Sequence, residues 1–104
     1  MHQVLEKEVN NLKKLAKKKG ENLSFLETHI EEVIFISNEK RVVCVVLQED
    51  EIHNTLCCYK VDFKKWKWAE QEGFNTQEHF PKIMNEVMEQ LRSPEEYLSY
   101  LKLK

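Results

Sequence analysis

The run Val42-Val43-Cys44-Val45-Val46-Leu47 limits what this chain can become more than any other stretch. Successive side chains of a strand point to opposite faces, so a strand made of these residues is apolar on both. Such a strand must be covered on each side, which makes it the centre of its sheet. It is also the longest apolar run in the chain, six residues against the roughly 20 of a membrane-spanning helix. The expectation is a protein that does not cross a bilayer. Lys40 and Arg41 before the run, and Glu49, Asp50 and Glu51 after it, protect an aggregation-prone segment until folding is complete.

Two further strands are expected beside it. "EVIFIS", from Glu32, is joined to "RVVCVVLQ" by the polar "NEK", a hairpin pattern without the Asn-Gly turn. After the turn "EDEIHN" a third strand starts near Thr55, where Tyr59, Val61 and Phe63 alternate with Lys60, Asp62 and Lys64. The alternation then slips by one residue in Lys64-Lys65-Trp66-Lys67-Trp68, read here as the continuation of that strand. A slip of one residue sends every following side chain to the other face unless a bulge absorbs it. The two tryptophans therefore either return to the core through a bulge or leave it for the surface.

Helices are expected on either side of the strands. Leu5, Val9, Leu12 and Ala16 recur at helical spacing, with Glu6 and Glu8 near the start, Lys17, Lys18 and Lys19 at the end, and Gly20 just beyond. Residues 21–30 fit a loop, an edge strand or a helical turn equally well. Asn75 to Glu78 resembles a capping box, but Pro81 would cost a hydrogen bond inside a helix started there, so a start at Pro81 competes with it. The stripe of that helix is Phe80, Ile83, Met84, Val87, Met88 and Leu91. Ser93, Pro94 and Glu96 open a last helix presenting Tyr97, Leu98 and Leu101. The expected fold is a single α+β domain over residues 1–104: an N-terminal helix, a three-stranded antiparallel sheet and two C-terminal helices, αβββαα. If all helices packed on one face, a partner or a second copy could cover the other.

Composition narrows the function classes. With 41% apolar and 33% charged residues the chain is neither disordered nor membrane-like. Its N-terminus, "MHQVLEKEV", lacks the apolar segment of a secretory signal. Cys44, Cys57 and Cys58 are an odd set in strand-like surroundings, which suits buried reduced thiols and a cytoplasmic location. The net charge of −2 gives no general attraction to polyanions, but charge is unevenly distributed. Residues 1–20 hold six lysines and two glutamates (net +4), residues 21–32 four glutamates (net −4), and residues 60–68 four lysines and one aspartate (net +3).

No constellation in the sequence requires catalysis, a metal or a cofactor. His2, His29, His53 and His79 have no zinc-site spacing, and two glycines cannot build a phosphate cradle. His53 lies four residues before Cys57, a pair read as a surface histidine and a packed thiol. Asp50, together with Asp62 and Lys64 two residues apart, in the order helix, strands, helix, resembles the PD-(D/E)xK nuclease superfamily. The resemblance spans roughly residues 5–92 and implies two acids on a magnesium ion with a lysine beside the attacking water. By exclusion, the leading expectation is a non-enzymatic protein acting by protein–protein interaction, with a protein partner or a homodimer. Small inhibitor, immunity or antitoxin-like accessory proteins of bacteria and phages have this kind of composition. Its candidate contact residues are Lys64, Lys65, Trp66, Lys67 and Trp68, with Lys13, Lys14, Lys17 and Lys18 of the first helix. A nucleic-acid-binding protein that uses the same residues is the alternative, and the nuclease comes third.

Overall fold

The strand-like run at residues 42–47 does form a strand covered on both faces, and the rest of the chain is arranged around it. The computed structural model describes residues 2–28, 30, 32–84 and 89–104. In chain order these form α1 (Gln3–Lys19), β1 (Ser24–Glu27), β2 (Val33–Ser37), β3 (Val42–Glu49), β4 (Asn54–Val61), α2 (Phe63–Gln71), α3 (Thr76–Met84), β5 (Gln90–Leu91) and α4 (Pro94–Tyr100). The sheet is a five-stranded antiparallel meander, β1-β2-β3-β4-β5, rather than the expected three strands. The added strands are both at edges. β1 lies in the segment the sequence left open, and β5 pairs only Cys58 with Leu91 and Tyr59 with Gln90.

Alternation along β2 and β3 sorts the core into two layers. Ile34, Ile36, Val43, Val45 and Leu47 face α1 and α4, packing with Leu5, Val9, Leu12, Ala16, Leu101 and Leu103. Val33, Phe35, Val42 and Cys44 face α2 and α3, packing with Trp66, Ala69 and Ile83. Helices therefore cover both faces, and no bare sheet face is left among the described residues for a second copy to cover. The hairpin between β2 and β3 manages without Asn-Gly because Asn38 makes the turn with its side chain. Its Oδ1 accepts from the Lys40 and Arg41 amides at 2.9 and 2.8 Å.

Helix α1 ends as its sequence indicates. Gly20 is left-handed at φ 71°, the Glu21 amide donates to Ala16 and the Gly20 amide to Lys17, a Schellman closure. Tyr97 donates its hydroxyl to Glu8, tying α4 to α1. Burial, and secondarily Glu8, pushes the Tyr97 phenol above its ordinary range.

The main correction concerns Lys64-Lys65-Trp66-Lys67-Trp68. It is not the end of a strand but most of α2, and no bulge is involved. β4 stops at Val61, Asp62 accepts the Lys65 amide at 3.0 Å as an N-cap, and the Trp66 amide donates to the Asp62 carbonyl. The apparent slip in phase is thus a change of period from two to 3.6. Phe63, Trp66 and Ala69 form the inner stripe of the helix.

Of the two competing starts for the next helix, the one at Asn75 is found, and Pro81 lies inside α3. The helix starts at Thr76 because Asn75 accepts the Gln77 and Glu78 amides, at 2.9 and 3.1 Å. The reciprocal bond expected from Glu78 comes instead from His79, whose Nδ1 accepts the Asn75 amide at 2.8 Å. These caps outweigh the loss of one hydrogen bond at Pro81. Of the expected stripe, Leu91 belongs to β5, while Val87 and Met88 lie outside the described residues.

Removing Trp66, which is 1% exposed, should cost about 3–5 kcal/mol as Trp66→Ala in urea unfolding. Asp62→Ala should cost about 1 kcal/mol through loss of the cap. A strand running through Lys64 and Lys65 would make the second substitution nearly silent.

Candidate functional site

Two tryptophans two residues apart on a helix are turned about 200° from each other, so α2 cannot bury both on one face. Trp66 stacks on Phe35 with ring centres 4.8 Å apart and also meets Phe74 at 5.7 Å. Its buried Nε1 has no hydrogen-bond partner among the described residues, and ring packing holds this indole. Trp68 is 37% exposed. Its ring meets His79 in a T-shaped contact with ring centres 4.8 Å apart, and the Lys82 ammonium lies 5.3 Å from the Trp68 ring centre.

Trp68, Lys64, Lys65 and Lys82 line an open depression of about 510 Å³. Three of the five residues in the sequence motif thus share one surface. Trp66 is in the core, and Lys67 turns away to pair with Glu70 at 3.0 Å and to cover the Phe63 ring. Lys82 was not among the residues expected from the sequence. It comes from α3, and nothing in linear spacing announces that α3 packs beside α2.

Charge order sets α2 apart from the other helices. α1 carries Glu6 in its first turn and Lys17, Lys18 and Lys19 in its last. α3 carries Glu78 first and Lys82 last, and α4 carries Glu95 and Glu96 first. α2 has no acid in its first turn, and Lys64 and Lys65 sit there against the positive end of the helix dipole. Such a placement costs about 0.3–1 kcal/mol where it is exposed, and the Asp62 cap opposes it. Positive potential is therefore concentrated at this end of the helix.

The basic residues of α1 do not join this surface. α1 packs on the sheet face opposite α2, so Lys13, Lys14, Lys17 and Lys18 belong to the other side of the molecule. Lys13 instead lies 5.4 Å from the Phe25 ring centre. A single platform made of both basic segments is not formed.

The residues behind the nuclease resemblance are also kept apart. Asp50 lies in the turn before β4, accepting from the Ile52 and His53 amides, and these bonds lower its pKa. Asp62 lies past the other end of that eight-residue strand, about 25 Å away at the usual rise per residue. One metal ion cannot bridge that distance. His53 turns toward Asp50, at 3.9 Å, and its side chain is solvent-exposed, whereas Cys57 is buried.

Glu72, Glu78 and His79 bring three potential ligand atoms within 4.8 Å of one another. The histidine does not suit a metal, however. Its Nδ1 already accepts the Asn75 amide, so the neutral ring keeps its proton on Nε2, the atom that points toward Glu72 at 3.5 Å. A metal on Nε2 would move that proton to Nδ1, against an N–H donor.

All three thiols are free and buried. Burial, with a smaller contribution from neighbouring thiols, pushes Cys44 and Cys58 up to about 12, so neither is a nucleophile near neutrality. Among the described residues no helix is long and apolar enough to cross a membrane. Comparison with protein-family models, characterised proteins and solved structures finds no match to this chain.

The raised thiols predict alkaline destabilisation. Above the ordinary thiol value of 9.0 the unfolded chain releases protons that the folded chain retains up to about 12. Unfolding free energy should therefore be undiminished below that window and fall through it, by at most about 1.4 kcal/mol per pH unit for each thiol. Urea titrations from neutral pH upward measure the slope, and Cys44→Ala should reduce it.

Proposed function

We propose that this chain is a small non-enzymatic binding protein that acts by protein–protein interaction, with Trp68 at the centre of its contact surface. The observation that carries this reading is an indole only partly covered by its own fold and ringed by lysines from two helices. Tryptophan is enriched among the residues that dominate interfaces, because it offers a large rigid area at small entropic cost. Occlusion of a partner, as small inhibitors, immunity proteins and antitoxins do, needs only such a surface on a stable scaffold. A cytoplasmic location belongs to the same proposal, since three buried reduced thiols suit a reducing compartment.

The nucleic-acid reading receives less support. A single-stranded platform combines aromatic faces with a continuous cationic track. Here the indole face already carries the Lys82 ammonium, the α1 lysines lie on the far side of the sheet, and Glu70 and Glu72 follow the patch.

Affinity capture from native lysate tests the proposal. The full chain should retain one stoichiometric protein, with the affinity of the purified pair falling about 30-fold or more in Trp68→Ala. Lys14→Glu and Lys18→Glu on α1 should leave the interaction intact. Capture that survives Trp68→Ala, or disappears when the lysate is treated with nuclease, would overturn the reading.

A further inference from the structure

We infer that the segment of the partner seated on Trp68 is an acidic stretch of polypeptide carrying an apolar side chain. Its carboxylates meet Lys64 and Lys82, and the apolar group rests against the indole. The inference builds on the reading above that Trp68 centres the contact surface.

Four observations support it. The depression around Trp68 is lined, among the described residues, by lysines and one indole, with no carboxylate among them. Lys64 and Lys82 have no ion pair among the described residues, while the adjacent Lys67 is neutralised by Glu70. Their positive charge is thus available, and at Lys64 the dipole of α2 adds to it. The sequence accepts this repulsion in α2 alone, although α1, α3 and α4 all carry acid in their first turns. A locally unfavourable arrangement confined to one surface is where a functional demand is expected.

The Lys82 ammonium selects between anionic partners. It lies over the indole, 5.3 Å from the ring centre, so a nucleobase could stack there only by displacing it. A carboxylate needs no such displacement, because it meets the ammonium while an aliphatic or aromatic side chain uses the exposed part of the ring beside it. Three lysines line the depression, too few for a continuous phosphate track, and a chain of net charge −2 does not attract polyanions from a distance. Local complementarity to a short acidic segment fits both facts.

The test is selection from a random dodecapeptide display library on the immobilised full chain. Parallel selections use Trp68→Ala and the double variant Lys64→Glu/Lys82→Glu, with folding checked by circular dichroism. All three positions are at the surface, and Lys82→Glu alone serves if Trp68→Ala perturbs α3. Wild-type protein should enrich peptides with Asp or Glu flanking Leu, Phe or a similar residue. Their affinity should weaken with added salt and fall about tenfold or more in the double variant, whose own selected peptides should turn basic.

Neutral or basic peptides that still require Trp68 would overturn the acidic inference and leave the contact surface standing. Peptides that bind Trp68→Ala equally well, or no enrichment at all, would overturn both. An oligothymidylate dodecamer that binds more tightly than the best peptide at physiological salt would overturn the inference in favour of a nucleic acid.

Discussion

Burial of β2 and β3 on both faces is the constraint on which the other features depend. All five residues of β2 are buried, and Val42, Val43 and Cys44 in β3 are fully inaccessible. A sheet with such a centre is stable only between two apolar layers. α1 and α4 supply one of them. The other has to come from the segment after β4, and the Asp62 cap allows it to do so by converting the chain from extended to helical within one residue. Trp66 then stacks on Phe35, and the second layer is closed by Phe74, Phe80 and Ile83.

Closing that layer with a helix also determines the surface. On a strand, two tryptophans two residues apart share a face; on a helix they are nearly opposed. Once Trp66 is committed to the core, Trp68 is directed outward, with Lys64 one turn before it. Lys82 reaches the same place from α3, which His79 holds at its N-terminus through the Asn75 amide. The candidate contact surface is therefore a geometric consequence of how the core is completed.

The parts of this arrangement visible in the sequence are those with a long, regular pattern. The stripe of α1 and its Gly20 stop, the hairpin of β2 and β3, and the Ser93-Pro94-Glu96 opening of α4 each follow from local physics, and each is present. Phe63 makes the junction between β4 and α2 ambiguous in sequence. It completes the strand alternation of Tyr59 and Val61, and it also begins the helical spacing of Trp66 and Ala69, so either period could be continued through it. Asp62 was the available signal, an N-cap residue type placed just before a helical stripe. β1 and β5 offered no comparable pattern, being short edge strands whose pairing depends on neighbours distant in sequence. The juxtaposition of Lys82 with Trp68 is tertiary and had no linear trace.

The central claim is that the two tryptophans face opposite ways and that the outward one lies in a positive field. Collisional quenching of single-tryptophan variants measures both properties together. With Trp66→Phe, the remaining Trp68 should be quenched by iodide and much less by caesium, because lysines concentrate the anion and repel the cation. With Trp68→Phe, the remaining Trp66 should emit at shorter wavelength and resist both ions. Equal access of both ions to both indoles, or quenching of Trp68 by caesium at least as strong as by iodide, would contradict the account.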